Sequence, residues 1–185
     1  MGQKTDKILE RAKVNFKKGN NENALRLFNQ VLNREPTHTE ALRNKGLLKM
    51  MEGNYKEAEE FLLFAIDQQP KDDQLYQMLG SFYQNNNEPD KALAQFEKSI
   101  DLNAQNHLAH KRLGMLFANA LNDHDNAVAH FNKAIEINNK ETDLYFNRGC
   151  SNMILQDMTK AKEDFRKAAD LGHSKALDML DQYFS

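Results

Sequence analysis

The 185-residue chain is poor in the residues that break or cross-link a fold: one cysteine, three prolines, eight glycines and no tryptophan. A single cysteine, Cys150, allows no intrachain disulfide and no cysteine-based metal site, so neither a secreted disulfide scaffold nor a zinc module is expected. Neither sign of charge dominates. Lys and Arg number 25 against 27 Asp and Glu, a formal net charge of −2. A sequence-independent nucleic-acid binder needs a basic stripe to displace counterions, and none is expected here. No apolar run approaches the roughly 20 residues that span a bilayer, so no membrane insertion is expected. The opening "MGQKTDKILERAKVNF" has no apolar signal region. Gly2 invites a myristoylation reading, but Asp6 stands where that motif wants Ser or Thr. The expected location is the cytoplasm.

What remains is 40% hydrophobic and 28% charged, a composition suited to amphipathic helices. Small residues recur along it. Ala12, Gly46, Gly80, Gly114 and Gly149 form one series, and Ala24, Ala58, Ala92, Ala127 and Ala161 a second. From the first series to the second is 12 residues, and 13 in one unit; from the second back to the first is always 22. Four residues after each second-series alanine stands Phe28, Leu62, Phe96, Phe131 or Phe165, and seven after stands Val31, Ala65, Ser99, Ala134 or Ala168. Spacing of four and then three marks one face of a helix. A second packing series, four residues before the first-series residue, reads Ile8, Leu42, Tyr76, His110 and Tyr145. Turns fall at Gly19-Asn20, Gly53-Asn54, Asn85–Glu88 and Asn122–Asp125. Each unit is thus two antiparallel amphipathic helices, A and B. The small residues let them approach, and one hairpin cannot bury both faces, so units must stack.

A 34-residue helix–turn–helix with this Gly/Ala, Ala, Phe, Ala and Pro pattern resembles the tetratricopeptide repeat family. The tail "FRKAADLGHSKALDMLDQYF" also resembles a Sel1-like repeat. The resemblance implies an all-α fold, a right-handed α-solenoid of five helix–turn–helix repeats with A helices on the concave side. The units run 5–38, 39–72, 73–106, 107–141 and 142–172 within a single domain spanning 5–184. A capping helix is expected over 174–184, with Leu177, Leu180 and Phe184 on its apolar face.

Three places invite a chemical reading. His107, His110 and His130 could suggest a metal site, but no carboxylate or thiol completes a ligand set, and His110 falls in the packing series. Cys150 lacks a histidine base and an oxyanion donor. Interleaved Lys and Glu, as in "KEAEE" (56–60), read as solvated helix faces. No catalytic residue, metal or cofactor is expected.

The informative surface is the concave face of the A helices. Projection places there Leu9, Lys13 and Lys17; Arg43, Asn44, Leu47, Met50 and Met51; Gln77, Met78, Ser81, Gln84 and Asn85; Lys111, Arg112, Met115 and Asn119; and Phe146, Asn147, Cys150, Met153 and Ile154. Methionine suits an adaptable peptide contact, though Met50 and Met153 could equally fill helix seams. Asn44 and Asn147 are equivalent, and the resemblance implies that an asparagine there grips a ligand's backbone. Arg43, Lys111 and Arg112 would supply a positive field for an acidic group, with both asparagines facing solvent in the free protein. The family's carboxylate clamp is incomplete in every register: Leu9, Lys13, Asn44, Gln74 and Met78 in the first, Arg43, Leu47, Met78, Leu108 and Arg112 in the second, Gln77, Ser81, Arg112, Asp143 and Asn147 in the third. The function expected is a non-enzymatic adaptor binding a partner peptide or helix. The alternatives are an accessory subunit of an enzyme complex, a chaperone-tail cochaperone with an atypical clamp, and self-association through an open end.

Overall fold

The computed structural model describes residues 2–185, and among them are eleven α-helices and no strand. They are α1 (Gly2–Lys17), α2 (Asn21–Leu32), α3 (Thr39–Met51), α4 (Tyr55–Gln68), α5 (Asp73–Asn85), α6 (Pro89–Leu102), α7 (His107–Asn119), α8 (His124–Ile137), α9 (Thr142–Ile154), α10 (Met158–Asp170) and α11 (Ser174–Phe184). Odd-numbered helices to α9 are the A helices, and even-numbered ones are the B helices. The chain divides into two compact units, the first running to Phe82 and the second covering Tyr83–Ser185, with the boundary inside α5.

In the first unit α1 packs on α2, α2 on α3 and α3 on α4. Its core gathers Leu9, Ala12, Ala24, Leu27, Phe28, Val31, Ala41 and Leu48. A second cluster joins Leu42, Ala65 and Leu75. Leu9 is therefore a core residue, which corrects its placement on the concave face: it is buried in one cluster with Ala12 of α1 and Ala24, Leu27, Phe28 and Val31 of α2. In the second unit α6 packs on α7, and α7 through α11 pack each on the next. The repeat core runs through Ala127, Phe131, Ala134 and Leu144, and through Tyr145, Ala161, Phe165 and Ala168.

The small A-helix residue makes room chiefly for the large B-helix side chain four residues beyond the repeat alanine, and at Gly46 also for the Ala58 carbonyl, 3.4 Å from a β-carbon built there. A β-carbon built on Gly114 would stand 2.6 Å from Cε1 of Phe131, and one on Gly149 would stand 2.9 Å from Cε1 of Phe165. At Gly46 the neighbour is Leu62, at 3.1 Å. Phe131, Phe165 and Leu62 are fully buried and have nowhere to retreat.

Units are stapled by a second device. Tyr76 donates its hydroxyl to the Pro70 carbonyl at 3.1 Å, and Tyr145 donates to the Asn139 carbonyl at 3.2 Å. His110 Nε2 meets the Ala104 carbonyl at 3.3 Å, six residues back like the other two. An A-helix side chain thus ties down the loop that led into it. The cap helix buries Ala176, with Met179, Leu180 and Phe184 packed beside it. Leu177 is 57% exposed, which corrects its place on the apolar face. The small Ala176 lets α11 sit close against α10, and that rotates Leu177 outward.

The A–B turns share one feature. Gly19, Gly53, Asn87, Asn122 and Gln156 all have positive φ and stand two residues before the first helical residue of the B helix. The extra residue of the fourth unit lies in this turn, at 120–123, as expected. Asp123, however, caps α8 by accepting from the Asn126 amide at 3.1 Å. Removing Ala120 would leave Leu-Asn-Asp, matching Leu155-Gln156-Asp157 in the next turn.

This geometry can be tested at two points. Gly114→Ala gains about 1 kcal/mol of helix propensity, but its β-carbon overlaps a trapped ring, which costs about 1–3 kcal/mol. The substitution should lower the melting temperature, and Gly46→Ala should lower it less or not at all, as thermal unfolding by circular dichroism will read. Deleting Ala120 should leave the melting curve nearly unchanged, whereas deleting Asp123 should lower it through the lost cap.

Candidate peptide-binding faces

Each unit carries its own strip of A-helix residues. In the first unit, Asn44 is buried at 8% exposure, and its Nδ2 donates to the Glu40 carbonyl at 2.7 Å. The amide is used within its own helix, which corrects the expectation that it faces solvent. A mid-helix asparagine readily bonds back to the preceding turn. Arg43 donates to Gln74 Oε1 at 3.2 Å and lies 3.7 Å from Glu40. Glu40 also receives Lys13 at 3.0 Å. The Lys13 ammonium is held above its usual value by Glu10 first and then Glu40. Gln77 donates to Ser81 Oγ at 3.1 Å. Leu47, Met50 and Met78 are half-buried, and Met51 is exposed.

In the second unit, Lys111 forms ion pairs with Glu141 and with Asp143. Phe146 stacks on His173 with ring centroids 4.1 Å apart. The expected basic trio is therefore not a free field, since Arg43 and Lys111 are already paired. Among the described residues Arg112 has no hydrogen bond or ion pair. The groups that hold these cations, Glu40, Gln74, Glu141 and Asp143, lie near the starts of the A helices, and their pairing with Arg43 and Lys111 was not foreseen. The bonds of Gln74 to Arg43 and of Glu141 and Asp143 to Lys111 span 30–32 residues, one repeat of the stack, whereas Glu40 meets Arg43 within its own helix.

One part of the expected face surrounds a hollow. Met115, Ala118 and Asn119 from α7 and Asn147, Cys150 and Ile154 from α9 line a hollow of about 70 Å³ over Phe131. His124 and Ser151 form part of its lining, with Nδ1 and Oγ 3.4 Å apart. Asn147 is half-buried and has no hydrogen-bond partner among the described residues. Burial pushes the Cys150 thiol above its usual pKa, which keeps it protonated and unreactive.

Outside the strip, Arg148 was also missed. Its Nε donates to Asp164 Oδ2 at 3.0 Å, Nη2 to Asp164 Oδ1 at 2.6 Å and Nη1 to Asn132 Oδ1 at 2.6 Å. Asn152 Nδ2 donates to the same carboxylate at 3.0 Å. The adjacent repeat carries Leu113 at the position of Arg148, and that contrast was the available signal.

His110 and His130 bring Nδ1 to Nδ1 at 3.3 Å, and His130 stacks on Phe117 at 5.4 Å. His110 donates from Nε2 to Ala104, so its Nδ1 is the acceptor and His130 supplies the proton. Among the described residues no group of three or more His, Cys, Asp or Glu is placed to hold a metal.

Models of the tetratricopeptide repeat match residues 15–81, 78–142 and 142–171. The chain belongs to the tetratricopeptide repeat family. Its fold class is the all-α solenoid of helix–turn–helix repeats. Solved structures share the fold. The MamA protein is 23% identical, covering 100% of this chain and 98% of its own, with a TM-score of 0.74. YrrB, described as a TPR protein with an unusual peptide-binding site, is 24% identical over 94% of this chain and 90% of its own, at 0.71. The pilF protein of Pseudomonas aeruginosa is 15% identical over 91% of this chain and 76% of its own, at 0.85. No curated protein sequence matches. No helix among the described residues is long and apolar enough to cross a membrane.

The histidine pair makes stability pH-dependent. Burial lowers the pKa of His110, outweighing the bond to the Ala104 carbonyl, and the nearby Lys133 adds to this against Glu136. Burial, then His110, lowers that of His130. The unfolded chain therefore takes up the proton first, so stability is complete above about pH 6.5 and falls as the pH drops below it. His110→Tyr should keep the staple, as Tyr76 and Tyr145 do, and shrink this acid limb to the share that buried His130 carries. Melting temperatures measured across that range will check it.

Proposed function

We propose that the chain is a non-enzymatic protein-interaction scaffold that holds a partner segment on the A-helix strip of its second unit. The observation that carries this reading is the hollow between α7 and α9, where Asn147 has an unused amide beside apolar walls from Met115 and Ile154. An amide offers a donor and an acceptor, the pair an extended peptide unit needs. The hollow takes one apolar side chain of the ligand, Asn147 bonds its backbone, and Arg112 meets an acidic group. In the first unit Leu47, Met51, Gln77 and Met78 form a strip of that unit's own, which Arg43 and Asn44 support from within. Phe146 and Lys111 do the same in the second.

The reading extends to a protein that acts in the cytoplasm without nucleic acid. It treats the tail as Sel1-like, with Gly172 at φ +94° ending α10 before α11 begins. YrrB is the neighbour described as having a peptide-binding site, which accords with a groove ligand here.

The test starts with a segment recovered by pull-down with the intact protein. Calorimetry should then give a loss of about 0.5–1.5 kcal/mol for Asn147→Ala, the worth of one net hydrogen bond, with an unchanged melting curve. Asn44→Ala should behave oppositely, lowering stability and leaving affinity intact. Unchanged affinity in Asn147→Ala would remove the ligand from this strip.

A further inference from the structure

The outer faces of the B helices differ at one place. Five and six residues beyond the repeat alanine, four units carry polar pairs: Asn29-Gln30, Glu97-Lys98, Asn132-Lys133 and Arg166-Lys167. The second unit carries Leu63-Phe64. Both are exposed, at 46% and 41%. The fold does not call for them, because α4 meets its core with Ala58, Leu62 and Ala65. The neighbouring Phe61 is covered by the Lys45 ammonium, 4.2 Å from its ring centroid. Two adjacent large apolar side chains left in water, where the sister repeats are polar, mark an interaction surface.

The surroundings define the occupant. Within one turn of the pair α4 carries Glu59, Glu60 and Asp67 and no cation. Glu60 has no ion-pair partner among the described residues, and Asp67 accepts only from Gln68, at 2.9 Å. Glu60 and Asp67 therefore give the rim a net negative charge. It favours a basic partner and repels an acidic segment or an anionic lipid surface. The backbone of α4 is already bonded within the helix, so an extended strand would find no main-chain partners on it. A segment that satisfies its own backbone, a helix, fits better.

We infer that the outer face of α4 docks an amphipathic helix of a partner protein, its apolar side chains covering Leu63 and Phe64 and its Lys or Arg flanks meeting Glu60 and Asp67. The surface lies on a B helix, so it stands or falls independently of the A-helix strip.

The variant Leu63→Glu/Phe64→Lys copies the pair of the third repeat and should fold with an unchanged melting curve. The probes are two fluorescent synthetic helical peptides with leucines at every third or fourth position, one flanked by Lys and Arg, the other by Glu. Anisotropy titrations of the full chain should show the basic peptide binding about tenfold or more tighter than its acidic twin, with a similar loss in the double variant. Amide shifts in NMR spectra should centre on α4. No binding by the basic peptide, equal binding of the two, or unchanged binding by the double variant overturns the inference, and so do shifts centred on the A helices. Sedimentation velocity completes the test. Concentration-dependent assembly of the wild type that the double variant loses would assign the face to a second copy of the chain and overturn the partner helix.

Discussion

An aromatic ring from one helix fills the volume that a missing β-carbon leaves on its neighbour. Gly114 with Phe131 and Gly149 with Phe165 are the sharpest cases, and Gly46 with Leu62 is the aliphatic version. The contact fixes how closely A and B helices approach and how each is rotated. Once that rotation is set, the remaining A-helix positions are assigned. One flank bonds to the incoming loop, as Tyr76 and Tyr145 do, and another is left for contact with a ligand. A displaced ring would move every one of these outward positions together. That dependence makes a few glycines more consequential than the larger residues around them.

Charged residues placed on such a frame neutralise one another along the A-helix strips. Arg43 and Lys111 stand where a ligand's carboxylate could reach them, yet acidic and amide groups from the next repeat already hold them. The pairing keeps long cations in fixed positions and reduces the net field. The groups still available are mostly uncharged: an amide at Asn147, a thioether at Met115 and the exposed side chain of Ile154. Recognition at this strip then rests on shape and one or two hydrogen bonds, with Arg112 as the one cation of the expected trio that has no partner among the described residues.

The repeat was legible in the sequence because the constraint that creates it is local. A glycine and an alanine 12 residues apart, with a ring four further on, report one hairpin irrespective of anything distant. Helix positions and the fourth-unit turn came from the same marks. Asn44 was misjudged although its bond to Glu40 is also local, because its equivalence to Asn147 suggested equal roles. Their surroundings differ: Asn44 sinks into a helix junction while Asn147 rims a hollow. Lys111 with Glu141, and Arg148 with Asp164, were beyond reach of periodicity. Those pairs depend on how one hairpin is turned against the next, and side chains 16 to 30 residues apart meet only when that turn is known. Leu177 illustrates a smaller ambiguity, since a short helix with several apolar residues can present more than one face to a core.

The Arg148 fork has a consequence for how the second unit comes apart. Repeat arrays fray from their ends, because each hairpin depends only on its neighbours. Here one guanidinium binds Asn132 on α8 and Asp164 on α10 while rooted in α9. Loosening α10 alone would strand a buried carboxylate and leave the fork half-empty. One side chain thus couples three helices, and this stretch of the array is built less like a zipper than like a latch.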